Sequence, residues 1–154
     1  MKKYSLIKTL ALFIILLLIV IQFIDADTNI AVSVSANSLE KHYEVPDRVQ
    51  SLLKNSCYDC HSNTTSYPWY NNIQPLKWWL ADHVDSGKRH LNFDEFAAYS
   101  NEKKLDKLDE ITETVQNGEM PLESYTIVHQ NARLSASERS EIVQWAASVK
   151  KQIR

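Results

Sequence analysis

The sequence contains very little glycine and proline, with 2 and 4 residues in a chain of 154. This scarcity excludes collagen, glycine-rich linkers and most turn-dense β folds. Cysteine is equally rare, and 2 residues are too few for a disulfide-stapled scaffold or an all-cysteine zinc site. No charge of one sign dominates, because 17 Lys and Arg face 19 Asp and Glu, giving a net charge of −2. Without a basic surplus, nucleic acid is not expected as a partner.

A long apolar run stands near the N-terminus. Residues 9–24 carry no charge; lysines precede them and two aspartates follow. As a helix, this run of roughly 16 residues spans about 24 Å, slightly less than a hydrocarbon core of about 30 Å, and a snorkelling Lys8 extends it by about a turn. Lysines before the run predict a cytoplasmic N-terminus and an exported remainder. We therefore predict a single-pass transmembrane helix in a bacterial inner membrane over residues 1–24, with a cleaved signal peptide as the alternative.

The rest of the chain divides into a tether and one helical domain. Residues 25–44 are polar and weakly patterned, so we predict a flexible tether. Residues 45–154 show no convincing strand alternation, but they carry helical apolar spacing with start and stop signals. Ser135 and Glu138 form a capping box that opens the last helix, and Gly87 marks the end of an earlier one. The predicted fold class is all-α, with about five helices at 46–55, 76–86, 92–99, 100–117 and after residue 135.

The two cysteines form one motif. They stand in the sequence Cys57-Tyr58-Asp59-Cys60-His61, where the histidine directly follows the second thiol. This spacing is typical of a c-type haem attachment site. Each thiol would add to one vinyl group of the haem, and His61 would lie under the iron as the proximal ligand. We therefore predict one covalently bound haem c, held by Cys57, Cys60 and His61.

Three other interpretations of the motif stay open. A thioredoxin-like dithiol uses the same spacing but expects a βαβ context, and no strands are evident. A structural disulfide across so short a loop adds little stability and leaves His61 without a role. A zinc site would need further ligands besides Cys57, Cys60 and His61. Haem attachment is the interpretation that uses all three residues.

The second axial position of an electron-transfer haem needs another ligand. Met120 lies in Gly118-Glu119-Met120-Pro121, directly after a predicted helix end, and it is the only methionine besides Met1. Its loop position argues against a role as core filler, so we predict Met120 as the distal ligand. His90 is the alternative ligand, and a propionate partner or a surface residue are its other interpretations. The remaining histidines are predicted as a core or pocket-wall residue at His83 and as surface residues at His42 and His129.

Aromatic residues cluster around and after the motif. Trp69 and Trp79 belong to this group, together with Tyr58, Tyr67, Tyr70 and Trp78. The group is predicted to form a wall of the haem site, and the alternative is ordinary hydrophobic core. Lys88 and Arg89 are candidate partners of the haem propionates, with a solvated charged turn as the alternative.

Several segments, taken in order, resemble a known family. They are residues 56–62 around the motif, Tyr67-Pro68-Trp69-Tyr70, Arg89-His90-Leu91-Asn92-Phe93 and Gly118-Glu119-Met120-Pro121-Leu122. Together they resemble the bacterial haem-binding domain family with a single Cys-x-x-Cys-His motif, over about residues 45–149. The resemblance implies covalent haem binding through Cys57 and Cys60, with His61 on the iron. It leaves the reaction and the partner open, and it draws attention to His90, which lies inside a matching segment.

These observations combine into one predicted function. The chain is expected to be a membrane-anchored, exported monohaem cytochrome c that transfers electrons between redox partner proteins and is not an enzyme. The fold expected is a small cytochrome c-like helical domain around the haem, with the Trp145 helix packed against the helix before the motif. The alternative is a haem-based sensor or a peroxidase-like enzyme with an open distal site, where His90 acts on a bound ligand.

Overall fold

The protein is helical throughout its described residues. The computed structural model describes residues 2–153, with side chains from residue 6 onward; Met1 and Arg154, the outer limits of the predicted anchor and haem domain, lie outside this range. Within it no strand forms, and one isolated bridge joins Ile30 to Thr64. The predicted all-α class is therefore confirmed. The α-helices are α1 (Lys2–Ile21), α2 (Leu39–His42), α3 (Asp47–Ser56), α4 (Tyr58–His61), α5 (Leu76–His90), α6 (Asn101–Asn117), α7 (Glu123–Val128) and α8 (Ala136–Lys150), and 3-10 helices lie at Trp69–Asn72, Phe93–Ala98 and Gln130–Ala132.

Two helices, α6 and α8, lie close to their predicted positions. The Ser100 side chain accepts a hydrogen bond from the Lys103 N–H and caps α6. Gly118 closes α6 in the left-handed region at φ 75°, where a glycine is favoured. Ser135 and Glu138 form the predicted capping box at the start of α8. The groups that set these boundaries are close together in the sequence, so the sequence alone indicates them.

Helix α5 is longer than predicted. The expected end at Gly87 is wrong, because the helix continues to His90. Gly87 serves a different purpose: a Cβ at this position would stand 2.5 Å from the Cys60 carbonyl oxygen. The glycine therefore allows α5 to approach the attachment motif closely.

The hydrophobic core forms around α8, which packs against both α6 and α3. The predicted contact between the last helix and the helix before the motif is therefore confirmed. Trp145 of α8 is only 3% exposed, and its indole N–H donates to the Glu44 carbonyl at 3.2 Å. Burial of each large apolar side chain stabilises the fold by about 1.5–3 kcal/mol. The most deeply buried ones are Leu39, Leu53, Phe93, Phe96, Leu108, Ile142 and Val149.

Helix α1 does not bear out the predicted transmembrane helix over residues 1–24. Among the described residues, no helix combines the length and the apolar character needed to cross a membrane. The helix ends at Ile21, and Lys8 stands within it. Its charge-free part, residues 9–21, therefore spans only about 20 Å, well short of a hydrocarbon core of about 30 Å.

The segment 25–44, predicted as a flexible tether, lies against the helical domain. The Asn29 side-chain amide donates to the Ser62 carbonyl at 2.9 Å, and the Asn29 backbone N–H donates to the Tyr67 hydroxyl at 2.8 Å. Farther along, α2 places Leu39 in the core with no exposed surface. The polar groups of this segment bond to residues far away in the sequence, so its weak local pattern did not reveal the contacts.

Candidate functional site

The attachment motif forms a single turn of helix directly after α3. The chain breaks direction at Cys57, where φ is −129°, and α4 then carries Cys60 and His61. The Cys57 carbonyl accepts from the Cys60 N–H at 3.2 Å and from the His61 N–H at 3.0 Å. This turn brings both thiols and the imidazole to the wall of one cavity.

That cavity has a volume of about 470 Å³. Its size falls within the range of about 300–1,000 Å³ that is usual for small-molecule and cofactor sites. Motif residues line one part of it, and α3, α5, α6 and the loop after α6 supply most of the rest. The lining residues include Leu53, Cys57, Cys60, His61, His83, His90, Ile111, Val115 and Met120. The structure therefore brings together the predicted attachment residues and both predicted distal candidates.

His61 is held in one orientation by backbone carbonyls of α5 and its C-terminal end. Its Nδ1 lies 3.0 Å from the Leu91 oxygen and 3.1 Å from the Gly87 oxygen. Burial lowers the pKa of His61, although these two hydrogen bonds act in the opposite direction. The ring is therefore neutral at pH 7, with the proton on Nδ1, which leaves the lone pair of Nε2 available to a metal.

The two thiols are protonated at neutral pH. Burial, followed by the proximity of Cys60, raises the pKa of Cys57 to about 12. Burial and the neighbouring Asp59 raise the pKa of Cys60 to about 11. A redox dithiol needs a thiolate at physiological pH, so these environments argue against the thioredoxin-like interpretation.

The zinc and disulfide interpretations of the motif gain no support. Within residues 2–153 no group of three or more His, Cys, Asp or Glu side chains is arranged to hold a metal ion. Cys57 and Cys60 are free thiols.

Met120 reaches the cavity because of the way α6 ends. After Gly118, the Glu119 and Met120 N–H groups both donate to the Thr114 carbonyl, at 2.9 Å and 3.2 Å. The loop therefore folds back over the last turn of the helix and places Met120 at the wall of the cavity that His61 also lines. The role of distal ligand stays a prediction.

His90 lines the same cavity, but it lies on the same side of the cavity as His61. It stands between the positions whose carbonyls bond to His61 Nδ1, and its own side chain is exposed. His83 is a wall residue, as predicted: its Nδ1–H donates to the Trp79 carbonyl at 2.8 Å, and its ring lies 4.2 Å from the Trp79 ring. His42 and His129 do not line this cavity.

Two other predictions about the wall do not hold. Trp69 and Trp79 do not line the cavity with His61; both line a neighbouring one, and neither is core, with exposed fractions of 76% and 45%. Lys88 and Arg89 do not reach the cavity either. The Lys88 ammonium donates to the Asn29 side-chain oxygen, and Arg89 donates to the Ser86 hydroxyl.

Sequence reasoning missed Lys107 and Ser56. Lys107 lines the cavity from α6, with its ammonium 2.7 Å from the Glu110 carboxylate. Its place one turn before Ile111 on the apolar stripe was the available signal. Ser56 also lines the cavity, and its buried hydroxyl has no hydrogen-bond partner among the described residues.

These features fit a haem. The apolar walls suit the macrocycle, and the Lys107 ammonium is a donor that suits a propionate. His61 Nε2 and the Met120 sulfur provide the donor set of an axially ligated iron.

Comparison with known proteins gives one match. A family model described as a haem-binding domain matches residues 16–148. No curated protein and no solved structure matches the chain significantly.

Proposed function

The chain belongs to the haem-binding domain family, and from this premise we propose that it is a monohaem c-type cytochrome that transfers electrons. Cys57 and Cys60 attach the haem through thioether bonds. His61 is the proximal iron ligand, and Met120 is the distal one. The protein is a carrier that exchanges electrons with redox partner proteins, not an enzyme.

The convergence of the motif and Met120 on one cavity carries this proposal. The two thiols, the imidazole and the thioether come from two regions of the chain that are about 60 residues apart, yet they line the same space. The two carbonyls on Nδ1 hold His61 as a neutral ligand through Nε2. Family membership alone would support haem binding without naming any of these four residues.

The haem, when bound, supplies one-electron chemistry at its iron. The chain's own residues set the conditions for it. Ile111, Val115 and Leu53 keep the cavity apolar, which excludes water. A His and Met ligand pair favours a higher reduction potential than two histidines would give.

We propose that the haem domain acts on the exported side of a bacterial membrane. Covalent haem attachment takes place there, and the apolar run at 9–24 with lysines before it resembles an export signal. Deletion of residues 2–24 should abolish covalent haem, and a replacement signal sequence should restore it. Covalent haem in the deleted form would contradict export.

A second candidate function is a haem-based sensor or peroxidase-like enzyme. The observation that favours it is His83, which lines the same cavity with Nδ1 engaged by the Trp79 carbonyl, so that Nε2 is available to a bound ligand. This function requires an iron whose distal position is open. The two candidate functions therefore differ in the coordination number of the haem iron.

The test is an optical spectrum of the full chain produced with the haem-attachment machinery, oxidised and reduced, before and after pyridine and alkali. We expect a covalent c-type haem with a weak far-red band in the oxidised state, the band that the cytochrome c resemblance predicts for Met on ferric iron. Met120→Ala should abolish the band, and the matched variant His90→Ala should keep it.

Other outcomes separate the candidates. A low-spin haem that lacks the far-red band in the parent and becomes high-spin in His90→Ala would assign His90 as the distal ligand. A high-spin haem that binds CO readily would favour the sensor or enzyme. A chain without covalent haem would contradict the central proposal.

A further inference from the structure

A second cavity, of about 340 Å³, adjoins the first. The two cavities share five wall residues, which are Asp59, Cys60, His83, Leu122 and Tyr125. Its size is again within the range of about 300–1,000 Å³ for small-molecule sites. The proposed function assigns no role to this space, although it begins at the attachment motif.

Several large apolar side chains that line the second cavity are exposed to solvent. Trp69 is 76% exposed, Val128 is 58% exposed and Trp79 is 45% exposed, and all three line it. Leu76 and Leu80 add aliphatic wall. Exposed apolar surface around a cavity is typical of a ligand site, and indole faces favour a flat aromatic ligand.

One polar pair lies within this apolar wall. The Tyr70 hydroxyl and Nε2 of His129 share a hydrogen bond of 3.1 Å, and both residues line the cavity. Burial, followed by the charge of Asp59, raises the pKa of Tyr70, so the hydroxyl keeps its proton at neutral pH. A hydroxyl oxygen has two lone pairs, so whichever of the two groups donates, the Tyr70 oxygen keeps at least one lone pair that can accept a hydrogen bond from a ligand.

The rest of the wall keeps this pair in place. The His129 ring stacks on the Tyr125 ring at 4.3 Å with an interplanar angle of 16°. The Tyr125 hydroxyl in turn donates to the Asp59 carboxylate at 2.7 Å. The acceptor at Tyr70 is therefore connected by direct contacts to the loop between the two cysteines, and it is preorganised before any ligand arrives.

We propose that the second cavity binds a flat aromatic molecule that carries a hydroxyl group, the class that includes naphthols and hydroquinones. The ring lies against Trp69 and Trp79, and the hydroxyl donates to the Tyr70 oxygen. Cys60 lines both cavities, so the bound ring lies next to a haem attachment point. The site goes beyond the proposed function and depends on it only because the holoprotein is the form to test.

The experiment is calorimetric titration of the holoprotein with 2-naphthol, and with 2-methoxynaphthalene as the probe that lacks the donor. We expect one site that prefers 2-naphthol. Tyr70→Phe should weaken 2-naphthol binding by about tenfold and should leave the methyl ether unaffected, as expected for the loss of one hydrogen bond. Trp79→Ala should weaken both probes. Tyr43→Phe removes the same hydroxyl from a residue that lines neither cavity and should change nothing.

The proposal is wrong if 2-naphthol does not bind, if both probes bind equally, or if Tyr70→Phe retains full affinity. Binding to the apoprotein but not to the holoprotein would also overturn it, because the haem would then fill the second cavity. The pyridine spectrum of the same sample reports covalent haem independently. A missing haem therefore contradicts the proposed function, and a failed titration of haem-loaded protein contradicts only this site.

Discussion

A single glycine determines how closely α5 approaches the attachment motif. The Gly87 carbonyl bonds to His61, and its Cα faces the Cys60 backbone with no room for a methyl group. The same residue therefore contacts both the His61 ring and the Cys60 backbone. Contacts of this kind are long-range, and apart from the glycine itself no neighbouring residue indicates them.

Gly87→Ala should destabilise the protein and disturb His61. The added Cβ would meet the Cys60 carbonyl oxygen at 2.5 Å, so α5 must move away from α4. Overpacking of this kind costs about 1–3 kcal/mol in the free energy of unfolding. The movement should also weaken the hydrogen bonds at His61 Nδ1. Urea denaturation measures the first effect, and a long-range proton–nitrogen NMR spectrum of the imidazole measures the second.

The matched control for this change is Asp85→Ala, on the same helix. Asp85 is exposed, so the variant should stay within about 0.5 kcal/mol of the parent and leave the His61 signals in place. If Gly87→Ala gave the same small effect, the close approach of α5 and α4 would not constrain the site.

Candidate site residues could be identified wherever the signal came from their neighbours in the sequence. The sequence singled out Cys57, Cys60 and His61 by their spacing and Met120 by its loop position. All four line one cavity, and their roles toward a haem stay predictions. The proximal hydrogen bonds to Gly87 and Leu91 were not predictable, because they join α4 to a helix about 30 residues away. Trp69 and Trp79 were assigned to the wrong wall for the same reason, since composition shows a cluster but not which cavity it faces.

At the scale of elements, hydrogen bonds to one carboxylate hold the first turn of α8 in place. The Ser135 backbone and hydroxyl both donate to the Glu138 carboxylate at 2.9 Å, and Arg48 of α3 donates to it at 2.6 Å. These bonds, with the Ser135 backbone bond as the main cause, lower the pKa of Glu138. One carboxylate thus joins the start of the last helix to the helix that precedes the attachment motif.

Glu138→Gln should remove an acid-dependent part of the stability. A glutamate whose pKa is lowered by folding contributes stability above its unfolded pKa of about 4.3, and this contribution is lost as the pH falls through the folded value. The variant should therefore have a lower urea midpoint than the parent at pH 7, and the two midpoints should converge near pH 3.

Glu113→Gln is the control, because Glu113 is exposed on α6. It should leave the dependence of the urea midpoint on pH unchanged. A constant gap between Glu138→Gln and the parent from pH 7 to pH 3 would show that the carboxylate charge is not what stabilises the capping box.

Helices were predicted well where strong sequence signals mark their ends. The glycine after α6 and the capping box of α8 predicted the end of the first helix and the start of the second closely. Residues 92–99, predicted as a short helix, form the 3-10 helix Phe93–Ala98. The stop assigned to Gly87 was wrong because a glycine that ends a helix and one that permits close packing look the same in a sequence.

At the scale of the whole molecule, the segment before α3 is part of the folded body. It bridges to the loop after the motif at Ile30 and Thr64, and its side-chain amide at Asn29 bonds to the same loop. It also places Leu39 in the core shared with α3 and α8. The folded unit is therefore larger than the domain predicted to begin at residue 45, in agreement with a family match that begins at residue 16.

Leu39→Ala tests whether this segment supports the haem domain. Leu39 has no exposed surface, so truncation should lower the free energy of unfolding by about 2–5 kcal/mol, through lost burial and the cavity left behind. Val34→Ala is the matched control, since Val34 lies in the same segment but is 69% exposed and should cost no more than about 0.5 kcal/mol. Urea denaturation of both variants measures the difference. If residues 25–44 pack on the domain, Leu39→Ala must lose more unfolding free energy than Val34→Ala. Equal stability of the two variants would instead mean that this segment is a tether that does not pack on the domain.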